Sequence, residues 1–313
     1  MKIEAPFGFV TGCHAGDRHM VQATLASMRH YCPDVPICLV VDGDFDVSVL
    51  VREYKLIVLR ISDLPSEQMR RLIGGNHRAK LAAMWEGPFE HYVWLDSDAI
   101  VWGNFLREIR KDVDFQIFWN EISVPEKAEE IPSWIKHFYF SVELLKAFDQ
   151  EFNWRGLAYF CSGAFAAKRN SIPFSEWVKV EEWQIKSPGL FAWGEMGMLN
   201  YLVHSLSQRQ KIQVTATDLQ HIWSYHGIEE LNNDCLGKAW NFPDKINRPR
   251  VAHFCGRKPF IFDLNSYSKP FTIARLEHQR GIHGEMGSWT TLFREETQSI
   301  VLKAKSKLRK IFH

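Results

Sequence analysis

Short apolar runs alternate with longer amphipathic stretches along residues 7–95, and this alternation restricts the fold more than any other feature of the chain. The runs are continuous, as in strands covered on both faces: FGFVTG (7–12), ICLVV (37–41), KLIVLRI (55–61) and YVWL (92–95). The stretches 17–32, with Asp17 as candidate N-cap, and 75–89 have apolar residues at helical spacing. Strand and helix in turn predict an α/β fold with a mostly parallel, doubly wound central sheet.

The later half of the chain has a looser pattern. Strands are predicted in 114–120, 156–170, 211–219 and 249–256, and helices in 171–185 and 195–206. No repeat or low-complexity linker interrupts the sequence before residue 260. We therefore predict one domain over 1–260, with halves of about 1–105 and 106–260, followed by a helical extension over 261–313.

Composition narrows the class of protein. The chain has 313 residues, 46% of them hydrophobic, which is enough to fill a large core. Lys and Arg number 38 against 37 Asp and Glu, so the formal charge of +1 predicts no nucleic-acid partner. The N-terminus lacks a basic segment followed by a sustained apolar stretch, and the 6 cysteines form no CxxC pair. We therefore expect a cytoplasmic protein with reduced thiols.

Two carboxylates, Asp96 and Asp98, follow the last of these apolar runs, in YVWLDSDAIVWGNF (92–105). Ligands of an open parallel sheet bind outside the carboxyl ends of its strands, where this pair is expected to lie. The two charges repel each other unless a cation lies between them, and carboxylate oxygens suit Mg²⁺ or Mn²⁺ beside a substrate's phosphates. The alternative is a turn in which one Asp is a cap and the other is solvated. Asp42 and Asp44, after the second strand, form a rival pair.

Another predicted strand also ends in polar residues. His253, in RVAHFCGRKPF (250–260), can supply an imidazole ligand to a metal such as Mn²⁺, or it can be a structural histidine. Gly256, Arg257 and Lys258 follow it. Glycine lets the backbone approach a phosphate, and Arg or Lys neutralises the phosphate charge.

Three further segments contain candidate binding residues. Arg78 and Lys80 precede the DSD strand and add cations to the same site, unless they lie on a solvated helix face. Ser162 and Gly163 interrupt the apolar segment AYFCSGAF, where a sugar, a ribose or a tight bend requires small residues. Glu195 begins a predicted helix and can bind sugar hydroxyls or act on an anomeric carbon, or it can simply compensate the helix dipole.

Taken in order, the segments KLAAMWEGPFEHYVWLDSDAIVWGN, CSGAF, GEMGMLN and HFCGRKP resemble the family 8 glycosyltransferases. These are retaining enzymes of GT-A fold that include glycogenin and bacterial lipooligosaccharide galactosyltransferases. The resemblance covers most of residues 7–260. It implies that Asp96, Asp98 and His253 hold Mn²⁺, or Mg²⁺, against the diphosphate of a nucleotide sugar.

The resemblance also implies a donor-binding set. Gly256 and Lys258 correspond to diphosphate contacts, and Lys80, with Arg78 as the alternative, corresponds to the basic residue before the DxD motif. The opening strand carries the nucleotide in such folds, and Asp42 contacts the base. The donor-binding residues expected on these grounds are Val10, Thr11, Gly12, Asp42, Arg78, Lys80, Ser97, Ser162, Gly163, Gly256, Arg257 and Lys258.

The chain departs from the family pattern in two places. The family reads Asp-Gln where this chain has Glu195 and Met196, so the Gln proposed to face the anomeric carbon in some members is missing. The last motif is one residue short, GRKP instead of GxxKP, which leaves either Arg257 or Lys258 for the phosphate contact. Glu195 is the candidate nucleophile or positioning residue, and Asp98 joins it in the expected catalytic set.

These residues predict a metal-dependent hexosyltransferase that uses a nucleotide-diphosphate sugar, UDP by resemblance, and a glycan or glycolipid acceptor, with retention. One alternative is a sugar-nucleotide pyrophosphorylase, although TGCHAGDRH (11–19) is a poor version of its Gly-rich basic loop. A non-catalytic nucleotide- or sugar-binding module is another. The basic residues among aliphatic ones in 300–313 predict either a peripheral contact with an anionic membrane or a solvated helix.

Overall fold

The computed structural model describes residues 2–75, 78–119, 123–192, 194–222, 250–255 and 269–311. Its strands are β1 (Ala5–His14), β2 (Ile37–Asp42), β3 (Leu56–Arg60), β4 (Phe89–Leu95), β5 (Ala99–Trp102), β6 (Phe115–Trp119), β7 (Ala164–Lys168), β8 (Val214–Asp218), β9 (Gln220–Ile222) and β10 (Arg250–His253). Its helices are α1 (Arg18–Tyr31), α2 (Ser48–Tyr54), α3 (Glu67–Ile73), α4 (Ala79–Glu86), α5 (Ser133–Phe138), α6 (Val142–Leu145), α7 (Phe174–Lys186), α8 (Glu195–Gln208) and α9 (Lys269–Ile311).

The main sheet has the predicted, mostly parallel arrangement. Its described strands form a 7-stranded sheet in the order β3-β2-β1-β4-β7-β6-β8, and β5, β10 and β9 form a smaller sheet. Within the main sheet, as described, every pairing is parallel except the two made by β7. Strands from both halves of the chain share the main sheet, and the predicted α/β class is confirmed.

Apolar side chains cover both faces of the main sheet. Phe9 and Val10, neighbours on β1, are fully buried in separate apolar clusters because successive side chains of a strand point to opposite faces. Leu25 of α1 belongs to the cluster of Phe9, and Leu81 of α4 belongs to that of Val10. Because helices cover both faces, polar residues that bind a ligand are left to the strand ends.

One strand is shorter than the sequence pattern predicts. The pattern favours strand throughout 156–170, whereas β7 begins only at Ala164. The side chain of Asn200, buried on α8, accepts a hydrogen bond from Phe160 N (3.1 Å) and donates one to the Phe160 carbonyl oxygen (2.9 Å). A side-chain amide thus satisfies backbone groups that a partner strand would otherwise pair.

The long C-terminal helix α9 folds back on itself at Gly284. This residue has φ 70° and ψ −178°, which is not helical. Arg275 binds the side chains of Glu295 and Glu296 at 2.8 and 2.6 Å. In a straight helix such residues would lie about 30 Å apart. We call this element the C-terminal hairpin; it packs against α1. No helix in the described part of the chain is both long and apolar enough to cross a membrane.

Candidate active site

The loop that contains Asp96 and Asp98 leaves the carboxyl end of β4, near the middle of the main sheet. Hydrogen bonds fix it on two sides: Asp96 N donates to the carbonyl oxygen of Gly163 (2.8 Å), and Phe254 N donates to that of Asp98 (2.9 Å). The chain then enters β5, whose antiparallel pairing with β10 places His253 opposite the first residue of β5. The smaller sheet therefore brings this histidine to the acidic loop.

Asp96, Asp98 and His253 form the candidate metal site. Nε2 of His253 lies 3.2 Å from Oδ1 of Asp98 and 3.9 Å from Oδ2 of Asp96. One ligand atom of each residue lies within 4.8 Å of the others. Two carboxylates and an imidazole suit a divalent ion such as Mn²⁺. The donor set therefore fits the ion expected from the sequence.

The imidazole of His253 lies directly against Gly163. A Cβ atom on residue 163 would be 2.1 Å from the imidazole, so only glycine leaves room for the ring. The sequence predicts that something comes close to this small residue. In the structure a protein side chain does so, and it is one of the three candidate metal ligands.

Lys80 joins the metal site to the beginning of α8. Its Nζ lies 3.3 Å from Oδ1 of Asp96 and donates hydrogen bonds to Oε1 of Glu195 (2.7 Å) and to Oγ of Ser162 (3.1 Å). Oγ of Ser162 also donates to Oε1 of Glu195 (3.0 Å). Only 3% of the Lys80 side chain is exposed, so this ammonium is held by protein acceptors. Its contacts link the expected metal ligand Asp96 to the expected catalytic residue Glu195.

The charges of this network stabilise one another. Burial raises the pKa of Asp96, and Lys80 and His253 oppose that effect only in part. Burial also favours the neutral form of Glu195, but the Lys80 ammonium outweighs it and leaves the pKa of Glu195 below its usual value. Burial alone would lower the pKa of Lys80, but the carboxylates of Asp96 and Glu195 outweigh it and the pKa is raised. Glu195 and Lys80 are therefore both charged at neutral pH.

Two residues that sequence reasoning missed contact the candidate metal ligands. Nε1 of Trp94 donates to Oδ1 of Asp96 (2.7 Å). Asp96 directly follows β4, two residues after Trp94, and this spacing is a signal for the contact, since alternate residues of an extended chain share a face. The side-chain amide of Gln220 lies 3.1 Å from Nδ1 of His253. No sequence pattern predicts that contact, because Gln220 comes from the neighbouring strand β9.

A cavity of about 300 Å³ opens beside the acidic loop. Its walls come from the ends of β1, β2 and β4 and from the beginnings of α1 and α4: Gly12, Cys13, His14, Asp17, Met20, Asp42, Ala79, Trp94, Asp96, Ser97 and Asp98. The predicted donor residues Gly12, Asp42 and Ser97 are among them. Val10 and Thr11 are fully buried in β1 and are not among the lining residues. Of the rival Asp42–Asp44 pair, the first lies at this cavity and the second is exposed.

The two cations before the DSD strand point to different places. Arg78 binds Glu181 of α7 (2.5 Å) and lines a second cavity, of about 810 Å³, whereas Lys80 lies at Asp96. Met196 packs against the apolar core. Gly256, Arg257 and Lys258 lie outside the described residues, so the structure does not place the predicted diphosphate contacts.

The mixed α/β architecture with its seven-stranded, mostly parallel main sheet matches the GT-A type fold of glycosyltransferases. No protein-family model matches the chain, and no curated protein matches it in sequence.

Several glycosyltransferases are among the solved structures to which this chain is similar. The galactosyltransferase LgtC in complex with donor and acceptor sugar analogues is 14% identical, with 85% of this chain and 94% of that chain covered and a TM-score of 0.52. An active-site mutant of LgtC is also 14% identical, with 85% of this chain and 94% of that chain covered and a TM-score of 0.54. The bifunctional glycosyltransferase WbbM, in its apo form, is 12% identical, with a TM-score of 0.50. In that comparison 94% of this chain covers 52% of WbbM. These likenesses establish the fold.

Proposed function

We propose that this protein is a metal-dependent glycosyltransferase that moves a hexose from a nucleotide-diphosphate sugar, with UDP as the nucleotide, to a glycan or glycolipid acceptor with retention. The observation that carries the proposal is the cluster of Asp96, Asp98 and His253 beside a cavity of about 300 Å³ at the end of β4. The glycosyltransferases of similar fold support the same class of reaction. One of them, LgtC, is described in complex with donor and acceptor sugar analogues.

The residues of the site have distinct roles in this proposal. Asp96, Asp98 and His253 hold Mn²⁺ or Mg²⁺, which when bound stabilises the negative charge that develops on the leaving diphosphate. Glu195 is kept ionised by Lys80 and serves as nucleophile or as a positioning group at the anomeric carbon. Arg257 or Lys258, outside the described residues, adds positive charge at the diphosphate.

Asp96→Asn and Asp98→Asn test the proposal, because each removes a charged ligand and keeps the shape of the side chain. We expect Mn²⁺-dependent release of nucleoside diphosphate, measured over a panel of nucleotide sugars, to fall about 100-fold or more in each variant. Asp112→Asn is the matched control, since Asp112 pairs with Arg110 on the surface at 2.6 Å. Unchanged turnover in both site variants, with folding verified by circular dichroism, contradicts the proposal.

Two other functions predict different results in the same assay. A sugar-nucleotide pyrophosphorylase exchanges pyrophosphate into the nucleotide sugar, which a transferase does not do. A non-catalytic binding module binds UDP without dependence on a metal and turns over no donor. The donor panel with Mn²⁺ also identifies the sugar, and Met196 is the reason not to assume one.

We also propose a peripheral position on the cytosolic face of an anionic membrane. Met286, Trp289, Phe293 and Ile300 of the C-terminal hairpin are 85%, 38%, 47% and 48% exposed, and their spacing puts them near one face of a helix. The basic residues of 300–313 follow them, each contributing about 1 kcal/mol near an anionic surface. Sedimentation with anionic and with neutral vesicles tests this position. If the full chain does not bind anionic vesicles, or binds them equally without residues 300–313, the proposal fails.

A further inference from the structure

The side of the His253 ring opposite the acidic loop faces two cysteines. Nδ1 of His253 lies 3.5 Å from Sγ of Cys161 and 3.1 Å from Sγ of Cys255, and the two sulfur atoms are 3.9 Å apart. Cys161 precedes the Ser162–Gly163 pair, and Cys255 follows β10. The function proposed above uses neither thiol.

We propose that Cys161, Cys255 and Nδ1 of His253 form a second metal site, selective for a thiophilic divalent ion such as Zn²⁺ or Cd²⁺. In a tetrahedral zinc site, Zn–S of about 2.3 Å and Zn–N of about 2.0 Å put two sulfurs about 3.8 Å apart and a sulfur and a nitrogen about 3.5 Å apart. The distances of 3.9 and 3.5 Å match those values, and the 3.1 Å contact requires a small shift of Cys255. A water molecule can supply the fourth ligand.

Position and chemistry distinguish these thiols from the other described cysteines. Cys13, Cys32 and Cys38 are buried, with at most 2% exposed, whereas Cys161 is partly exposed and Cys255 is exposed. An ion from solvent can therefore reach the second site. Two thiolates select a soft or borderline metal, whereas the carboxylates of Asp96 and Asp98 select a hard one. The two ring nitrogens of His253 thus belong to sites that prefer different metals: a hard ion at Nε2 and a thiophilic ion at Nδ1.

The two sites compete for the shared imidazole as long as the ring stays neutral. Neutral imidazole has one lone pair, on Nε2 or on Nδ1. When the side-chain amide of Gln220 is oriented so that its oxygen faces Nδ1 at 3.1 Å, its nitrogen donates to the carbonyl oxygens of Phe118 and Cys161, both at 3.1 Å. That arrangement keeps the proton on Nδ1 and leaves Nε2 free for the ion at the acidic loop.

Capture of a thiophilic ion reverses this arrangement. The two thiols release their protons to solvent as their sulfurs bind the ion. The imidazole releases its Nδ1 proton to solvent and binds the same ion through the Nδ1 lone pair. Nε2 takes up one proton from solvent, so the ring stays neutral, and its N–H donates a hydrogen bond to Oδ1 of Asp98, 3.2 Å away. The hard-metal site then lacks its nitrogen ligand. A thiophilic ion at the cysteines is therefore expected to displace Mn²⁺ from the acidic loop although it does not bind to Asp96.

Titration of the reduced full-length protein with Cd²⁺ tests the second site, with the thiolate-to-metal charge-transfer absorption as the readout. We expect one Cd²⁺ to bind, and Cys161→Ser or Cys255→Ser to weaken this binding at least ~100-fold, more than the 10–100-fold loss typical of a residue that only orients a ligand. Cys32→Ala is the control, because Cys32 is a buried thiol away from the site. Full Cd²⁺ affinity in both serine variants, or no absorption from verified reduced thiols, overturns the proposal.

The competition for His253 is tested by the electron paramagnetic resonance of Mn²⁺ during the same titration. In the unaltered protein, Mn²⁺ should be released as the charge-transfer absorption grows. In the Cys161→Ser/Cys255→Ser protein, Mn²⁺ release should need at least ~100-fold more Cd²⁺, because only direct competition at the carboxylates remains. Mn²⁺ that stays bound while the thiolate site fills contradicts the competition for His253. Asp98→Asn should keep the Cd²⁺ absorption, so failure of the proposed transferase function and failure of the second site are distinguishable.

Discussion

Among the described residues, the charged cluster at the candidate active site and the one in the C-terminal hairpin differ in what surrounds them. In the candidate active site, Lys80 contacts Asp96 and Glu195, and 27% of the Asp96 side chain is exposed, at the cavity. In the C-terminal hairpin, Arg275 lies between two glutamates of the facing helix whose side chains are 7% and 1% exposed. One cluster is open to a ligand, and the other is closed between two helices.

The difference shows how the same residue types serve two purposes. The guanidinium of Arg275 donates to Glu296 and to Glu295 across the hairpin, and the directional contacts fix how the two helices align. At the candidate active site, three carboxylates, including Asp98, face one lysine and one histidine, so negative charge remains for an incoming cation. A closed cluster supports the fold, whereas an open cluster with surplus charge supports binding.

Arg275→Met is expected to have the largest effect on stability. It leaves two buried glutamates without their cation, so the free energy of unfolding should fall by about 3–5 kcal/mol in urea titration. Turnover per folded molecule should not change, because the hairpin cluster has no part in the proposed reaction. Arg280→Met is the control: Arg280 pairs with Glu285 at the surface, and its loss should change stability by at most ~1 kcal/mol. Equal losses of unfolding free energy in both variants would mean that the buried cluster contributes no more to stability than a surface ion pair.

Glu195→Gln should affect turnover, whereas Arg275→Met should affect stability. Gln keeps the size of the side chain but removes the negative charge beside Lys80, so turnover of the donor should fall about 100-fold or more. Mn²⁺ affinity should change little, since Glu195 is not among the candidate ligands. Glu176→Gln is the control, because it removes a carboxylate that pairs with Lys179 in the first turns of α7. Turnover within a few-fold of the unaltered protein would remove Glu195 from the catalytic set.

Acidification is expected to weaken both regions through buried histidines. Burial lowers the pKa of His204, on α8, and of His278, in the C-terminal hairpin, to about 4. The unfolded chain takes up these protons near pH 6.5 and the folded chain only near pH 4, so stability falls as the pH drops between those values. From pH 6.5 to pH 5 each histidine should contribute a loss of about 1.5 kcal/mol.

The measurement is the pH dependence of the free energy of unfolding. His204→Gln and His278→Gln should each flatten it. A dependence that neither buried variant alters would contradict the assignment to these two residues.

One glycine from each region can be compared, and the substitution in the hairpin is expected to have the smallest effect on stability. Nothing lies within 4 Å of a Cβ atom added at Gly281 in the hairpin, so Gly281→Ala should stabilise the protein by about 0.5–1 kcal/mol through helix propensity. Gly163→Ala should do the reverse, because its Cβ would lie 2.1 Å from His253, and Mn²⁺ binding should weaken with the displaced ring. Thermal melting and Mn²⁺ titration measure the two effects. If Gly163→Ala changed neither the thermal stability nor the Mn²⁺ affinity, His253 would have room to move.

Much of the candidate site could be predicted because its ligands follow strands. Asp96 and Asp98 directly follow β4, and parallel topology collects such strand ends at one edge of the main sheet. His253 ends the apolar run of β10, and the antiparallel pairing of β10 with β5 brings it to the same loop. The choice between Arg78 and Lys80 could not be made in this way. Two residues apart at the beginning of α4, they point in different directions, and only the orientation of the helix decides which one reaches Asp96.

The contacts of Glu195 needed the tertiary structure for a related reason. Its position at the beginning of α8 is evident from the sequence, but its bond to Lys80 depends on how two helices pack around the sheet. The same holds for Gln220, and for Cys161 and Cys255 around His253, which come from separate segments of the chain.

The sequence by itself determined the alternation of buried strands and amphipathic helices, and with it the parallel sheet and the acidic loop at its edge. Those features are local, since a side chain's face follows from a period of two or of 3.6 residues. The tertiary structure alone decided that Lys80 binds Glu195, that His253 lies against Gly163, and that two thiols share its ring with two carboxylates. Such contacts depend on the angles and distances at which elements pack, and no periodicity along the chain encodes them.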